Sequence, residues 1–265
     1  MLYGAMNSPV RPVLEELESI AELGFDYLEL TMDAPEAHHK IIRQERDTLM
    51  RALERLRMGI VCHLPTFVST ADLTPVLREA SLNEVLESME VAAGFEPLKV
   101  VLHPSHISGL GILVRDKVHR YAMKSLEAIV AKADRLGIYI CIENMFPHSG
   151  LLADPQDFVE IFQRFPALGL TLDTGHAHLT GKGVTKSLEF INKFDDRIGH
   201  IHVSDNFGTN DNHLPIGTGT IDFPTIIKAL KKIEYDGTIT LEVFSLDRDY
   251  LRISREKLAA MVASC

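Results

Sequence analysis

The chain has 265 residues, 46% hydrophobic and 24% charged, the balance of a soluble globular protein and length enough for one large α/β domain. A formal net charge of −10 argues against a partner gripped by its phosphates on a basic surface, and no run of about 18 uncharged apolar residues is present to span a membrane. The first residues do not read as a secretory leader, no Pro-, Gly- or Ser-rich linker divides the chain, and three widely spaced cysteines, Cys62, Cys141 and Cys265, fit a cytoplasmic setting.

Residues 2–6 read as a first strand. Ser8-Pro9 then opens a helix whose Val13, Leu14, Leu17, Ile20, Ala21 and Leu23 keep helical spacing up to Gly24. Residues 27–31 form the second strand, ending around Glu29; 38–57 is a charged amphipathic helix, and 59–63 the third strand. A loop over 64–74 leads into a helix over 75–93, and 98–103 is the fourth strand. The loop 105–111 precedes a long helix that closes at Gly137. The fifth strand, 138–143, is followed by a helix opening at Asp154-Pro155 and ending at Phe165. The apolar run from Ala167 is the sixth strand and stops at Asp173; a helix over 184–194 and the seventh strand over 198–203 follow. A polar loop over 204–220, a helix over 222–233, the eighth strand over 238–243 and a helix over 249–263 complete the chain. Eight short apolar strands, each followed by a helix at a spacing of about 30 residues, predict a (β/α)8 TIM barrel in a single domain over 1–265. An open doubly wound sheet is the alternative, but the phosphate loop expected after its first strand is missing.

The strands end on a consistent kind of residue. From the third to the eighth they close on His63, His103, Glu143, Asp173, His202 and Glu242. Three residues past Asp173, across Gly175, stands His176, and the loop after the seventh strand adds Asp211 and His213. Each has a plain structural reading when taken singly: Asp173 capping the next helix, His63 or His103 as a core histidine, Glu143 paired with a lysine. In a closed barrel, however, these ends converge on one cavity. Four carboxylates would repel one another there, and burying an unpaired charge costs several kcal/mol. The nine groups therefore call for at least one divalent ion, zinc or manganese by ligand type. Against four negative charges, one such ion leaves −2 and three leave +2. Other polar residues are read more simply. Glu29 either lines the pocket or forms an ion pair, and His38, His39 and His119 are solvated helix residues. His106, His148 and His178 are surface residues near the mouth, within reach of a substrate. Cys62 and Cys141 pack in the core, and Phe67 and Phe146 pack in mouth loops.

At these residues the sequence resembles the xylose-isomerase-like TIM barrels, the superfamily that joins sugar isomerases and epimerases with endonuclease IV. The motifs are Cys-His-Leu-Pro-Thr-Phe at 62–67, Leu-His-Pro-Ser-His at 102–106, Ile-Glu-Asn at 142–144 and Leu-Asp-Thr-Gly-His at 172–176. His-Val-Ser-Asp-Asn at 202–206, Asp-Asn-His-Leu-Pro-Ile-Gly-Thr-Gly-Thr-Ile-Asp at 211–222 and Leu-Glu-Val at 241–243 continue them, so the resemblance covers essentially the whole chain.

The epimerase branch implies one divalent ion held by Glu143, Asp173, His202 and Glu242, with the two glutamates as an acid–base pair. The endonuclease IV branch implies three zinc ions: one on His63, His103 and Glu143, a second on Glu143, Asp173, His202 and Glu242, and a third on His176, Asp211 and His213. All nine positions are matched, so more than one ion per chain is expected. The loop after Glu143 reads Asn-Met-Phe-Pro-His-Ser-Gly rather than the Asn-Thr-Ala-Gly type associated with the endonuclease, and the acidic chain disfavours a nucleic-acid partner. The expected function is an isomerase or epimerase of a small sugar or sugar phosphate, with Glu143 and Glu242 moving the proton and His176 bonding the developing oxyanion. A zinc phosphodiesterase acting on abasic DNA is the alternative, and a non-catalytic metal or sugar binder is a third class.

Overall fold

The structure, a computed structural model, describes residues 1–107, 109–179 and 183–264; Ser108 of the 105–111 loop and Cys265 lie outside the described residues. Strands β1 (Leu2–Met6), β2 (Tyr27–Thr31), β3 (Gly59–His63) and β4 (Val100–Leu102) alternate with helices α1 (Val13–Glu22), α2 (His39–Leu56), α3 (Pro75–Ala93) and α4 (Arg115–Leu136). Strands β5 (Ile140–Glu143), β6 (Gly169–Asp173), β7 (Ile198–Val203) and β8 (Thr238–Leu241) continue the pattern with α5 (Phe158–Arg164), α6 (Thr174–His178), α7 (Val184–Lys193), α8 (Phe223–Lys232) and α9 (Asp249–Ser264). The strands are parallel and close in chain order, β1 pairing with both β2 and β8. This is the (β/α)8 TIM barrel, and closure rules out the open sheet. Among the described residues no helix is long and apolar enough to cross a membrane.

Side chains along a strand alternate between the barrel axis and the surrounding helices. Outward residues such as Leu28, Ile60, Leu170 and Ile239 belong to the main core with the helices. Tyr27, Val61 and Val101 form a separate buried cluster inside the barrel. Two positions beyond Val61 and Val101 stand His63 and His103, so these metal-ligating residues occupy the next inward layer, towards the C-terminal ends, while Glu29 pairs in register with Val61 below them.

Strand β7 reaches this phase only through a bulge. Leu170 pairs with Ile198 while Thr171 pairs with His200, which leaves Gly199 as an extra residue. Ile198, Ile201 and Val203 face the helices, a spacing that a regular strand cannot give. The extra residue turns His200 and His202 inward. A Cβ on Gly199 would lie 2.6 Å from Cys141 Sγ, so only glycine fits there.

Several predicted boundaries move. Helix α1 begins at Val13, not at Ser8-Pro9, because Pro12 caps it in an extended conformation (ψ 130°) and disfavours the helical form at Arg11. Strands β4, β5 and β8 are shorter than predicted, so His103 and Glu242 stand one residue beyond theirs. The predicted helix 154–165 divides into a 3-10 turn, Pro155–Asp157, and α5. The sequence predicts no separate helix between β6 and residue 184, but the capping weighed for Asp173 is present: it caps the short helix α6, accepting the His176 backbone N–H at 2.6 Å.

Candidate metal centre

Glu143, at the end of β5, is the hub. Its Oε2 lies 3.5 Å from His63 Nε2 and 3.4 Å from His103 Nε2, and its Oε1 lies 3.3 Å from His176 Nδ1 and 3.5 Å from His202 Nδ1. His202 Nδ1 is also 3.0 Å from Glu242 Oε1 and 3.8 Å from Asp173 Oδ2. His176 Nε2 and His213 Nε2 both stand 3.2 Å from the same oxygen, Asp211 Oδ2. All nine residues singled out in the sequence are therefore brought to one cavity. Glu143, Asp173, His202, Glu242, His63 and His176 are buried, while His103, Asp211 and His213 sit partly open at the mouth.

The histidine rings are oriented by acceptors that cannot donate back. Nδ1–H of His63 donates to the Leu64 carbonyl at 2.9 Å, that of His176 to the Asn144 carbonyl at 2.9 Å, and that of His213 to the Glu242 carbonyl at 3.1 Å. With one nitrogen committed, a neutral ring presents the lone pair of the other nitrogen to carboxylates that are also acceptors. Such facing acceptors need either an added proton or a cation between them. Glu143 Oε2, His202 Nδ1 and Asp211 Oδ1 are buried without any hydrogen-bond partner. Divalent ions among these groups would satisfy such atoms, and mixed imidazole and carboxylate donors suit zinc or manganese. The residues present fit a metal.

The electrostatics agree. Burial alone would raise Glu143, yet His103 and His202 hold it well below the usual carboxylate range; against the same effect of burial, His202 and His213 lower Glu242. Burial, together with Glu242, Glu143 and Asp211, pushes Asp173 up to about 7 against the pull of His176. Burial would lower His213, but Asp211, Glu242 and Asp173 push it up to about 9. The unfolded value is about 6.5. A raised histidine stabilises the fold fully below its unfolded value and loses that contribution as pH rises through the folded one. Chelator-treated protein is therefore expected to lose up to about 3 kcal/mol between pH 6.5 and 9.5, with His213→Ala flattening the slope. Thermal unfolding across that range checks this.

Supporting residues hold the ligands in place. Asn144 ties β5 to β6: its Oδ1 accepts the Asp173 N–H at 2.7 Å and its Nδ2 donates to the Asp173 carbonyl at 2.9 Å. Asp205 accepts the N–H groups of Asn206, Gly217 and Gly219 at 2.9 Å each and of Ile221 at 3.2 Å, folding the loop that carries Asp211 and His213. Gly219 is needed for that wrap, since a Cβ there would meet the Asn206 carbonyl oxygen at 2.3 Å. His213 itself has φ +47°, the left-handed region that few side-chain-bearing residues occupy.

Glu29 is neither a pocket wall nor a simple ion pair; β2 continues past it to Thr31, and its side chain lies fully buried on the barrel floor. Glu29 Oε1 is 2.9 Å from His202 Nε2, and Oε2 is 2.9 Å from His200 Nε2 and accepts from Thr240 Oγ1. His200 gave no signal in the sequence beyond its position two residues before His202. His39 is buried rather than solvated, and both His38 and His39 face Glu84 of α3, at 2.8 and 3.3 Å. His38 Nδ1 accepts the Lys40 N–H as the cap of α2, so its Nε2 carries the proton given to Glu84 and offers no lone pair to a metal. His119 is half-buried with its side chain open to water, as expected, and His106 and His148 are exposed. His178 is buried against Thr220 at 3.0 Å rather than lying on the surface. Phe67 is 84% exposed rather than packed in its loop, whereas Phe146 lies edge-on to His176 with ring centroids 5.2 Å apart. Cys62 and Cys141 are buried free thiols, and burial pushes Cys141 up to about 12.

A family model described as xylose isomerase-like TIM barrel matches residues 17–262. An uncharacterized protein of Methanocaldococcus jannaschii is 31% identical, over 98% of this chain and 92% of its own length. The crystal structure of a D-tagatose 3-epimerase-like protein superposes with a TM-score of 0.87 at 30% identity, covering 100% of this chain and 98% of that one. A probable endonuclease 4 of Mycoplasma pneumoniae is 22% identical over 69% of this chain and 67% of its own length.

Proposed function

The chain belongs to the family of xylose isomerase-like TIM barrels, and on that premise we propose that it is a metal-dependent epimerase or isomerase of a small sugar or sugar phosphate. The observation that carries this reading is the placement of Glu143 and Glu242 against one nitrogen, His202 Nδ1, at 3.5 and 3.0 Å in a buried cavity. Two ionised carboxylates so close together are the pair needed to take a proton from one face of a carbon and return it on another. Likeness to the D-tagatose 3-epimerase-like protein over the full length supports the same chemistry.

Glu143, Asp173, His202 and Glu242 would hold the tightest metal, zinc or manganese, with His63 and His103 sharing Glu143 in a second set and His176, Asp211 and His213 forming a third. When bound, the metal supplies Lewis-acid polarisation of the substrate carbonyl and stabilises the charge of the enediolate. Glu242 acts as the base on the carbon beside the carbonyl, and Glu143 holds the returning proton. While the third set is empty, His176, raised well above the usual histidine range by Asp173, Asp211 and Glu143 in spite of burial, carries an Nε2–H that serves as donor for the developing oxyanion. Phe146 over His176 and Phe244 over His213, with ring centroids 5.2 and 4.5 Å apart, narrow the entry for water.

Incubating the metal-loaded protein with a panel of ketoses and aldoses in deuterated water should exchange the C–H beside the carbonyl, and Glu242→Gln should slow that exchange by about 10²–10³-fold. Full exchange in the variant would remove Glu242 as the base. A zinc phosphodiesterase acting on abasic DNA is the second reading, favoured by the His176, Asp211 and His213 group, which exceeds the needs of one ion. Zinc-loaded protein mixed in equal amount with a duplex carrying one abasic site decides it: nicking supports the second reading, and an intact duplex excludes it.

A further inference from the structure

We propose that Glu29 is the positioning residue of the metal centre, fixing His202 so that it offers Nδ1 and never Nε2 to a cation. The inference rests on the metal reading above and extends it to the layer beneath the ligands.

Each hydrogen bond on the barrel floor has only one consistent direction. The Tyr27 hydroxyl lies 2.8 Å from Thr240 Oγ1, and the Thr240 hydroxyl donates to Glu29 Oε2, so Tyr27 donates and Thr240 relays. His200 Nε2, 2.9 Å from the same oxygen, must donate to it, which leaves its Nδ1 to accept from the Thr238 hydroxyl at 2.6 Å. Oε2 is thereby filled by two donors, and Oε1 is left for His202 Nε2 at 2.9 Å. A carboxylate in this setting is an acceptor only, so His202 must carry its proton on Nε2. Its Nδ1 is then the lone pair facing Glu143, Asp173 and Glu242.

This arrangement also accounts for His200. Sitting two residues before His202 on β7, it lies one layer too deep to reach the cavity, and both its nitrogens are spent within the floor. The three side chains Glu29, His200 and His202 could themselves enclose an ion by proximity. Their complete hydrogen bonding argues for a support instead, since no polar atom of Glu29 or His200 lacks a partner. Among the described residues no Lys or Arg pairs with Glu29, which is fully buried, so its charge is felt through the His202 ring. Carboxylates that orient a ligating histidine in this way typically change metal affinity 10–100-fold.

The test uses the full chain and zinc alone. Wild-type protein, Glu29→Gln and Tyr27→Phe are freed of metal, checked for folding by circular dichroism and titrated with zinc against a competing chelator. Glu29→Gln is expected to weaken zinc about 10–100-fold. Tyr27→Phe disturbs the same floor without touching the Glu29–His202 bond and is expected to bind as wild type does. Equal affinity in Glu29→Gln, or an equal loss in Tyr27→Phe, overturns the proposal while leaving the metal reading intact. No zinc bound by wild type overturns the metal reading itself. Should Glu29→Gln not fold, imidazole nitrogen NMR of zinc-loaded wild type decides. His202 protonated at Nε2 with zinc on Nδ1 supports the proposal, and the opposite tautomer ends it.

Discussion

Glu143→Gln is expected to strip metal from the protein and to lower C–H exchange by about 10⁴-fold or more, the combined loss of a ligand and of an acid–base group. The size follows from the number of groups that depend on one carboxylate. Four imidazole nitrogens, from His63, His103, His176 and His202, lie within 3.5 Å of its two oxygens. Glutamine preserves the shape but replaces one oxygen with an N–H₂ donor, which faces either the His63 and His103 pair or the His176 and His202 pair. Half of the hub is then lost whichever way the amide turns. Elemental analysis and solvent exchange measured on the same preparation check the two effects together. Retention of full metal content with slowed exchange would reduce Glu143 to an acid–base role alone.

Removing the metal outright is the second large effect. Chelated protein should show no exchange above background, and zinc or manganese should restore it. Metal-replete protein is expected to carry more than one ion per chain, because nine groups exceed the roughly four ligands of zinc or six of octahedral manganese. The ion nearest Glu143, Asp173, His202 and Glu242 should leave last, since three carboxylates meet there. That at Asp211 and His213, whose side chains are each 21% exposed, should leave first. The ordering entropy of a loop as long as 204–220 would favour the same order. Asp205 ties that loop too firmly for ordering entropy to be the cause, and exposure to water is the better reason. Elemental analysis of wild type beside His213→Ala tests the number: one fewer ion is expected in the variant. A single ion in both would leave Asp211 and His213 as substrate contacts.

The barrel and the upper layer of the site were legible because both are local patterns. Short apolar runs ending on His63, Glu143 or Asp173 state their own phase, and a closed barrel then assembles them. Glu29 and His200 were not legible, because the bond between them joins β2 to β7 across 171 residues and no short stretch records it. His39 was misread for a related reason. The charged run of α2 predicts a wet face, and only the packing of α3 places Glu84 over that histidine. Loop chemistry was equally silent: nothing before Gly219 announces that Asp205 will gather four backbone N–H groups.

The extra residue in β7 gives this strand a parity that the others lack. With Gly199 present, the odd-numbered apolar residues Ile201 and Val203 face the helices and the even-numbered His200 and His202 face the axis. Because Gly199 is the unpaired residue, it is the one place in the strand where a residue can be lost without exchanging the faces: with Ile198 next to His200, the strand alternates regularly and both histidines still face the axis. Loss of Ile201 instead would turn His202 towards the helices and bring Val203 into the cavity. Point substitutions at His202 remove one ligand, whereas a change of length beyond the bulge inverts every side chain that follows it. The site thus depends on counting as well as on chemistry, and a frame-preserving loss of one codon is damaging at Ile201 where at Gly199 it leaves the phase intact.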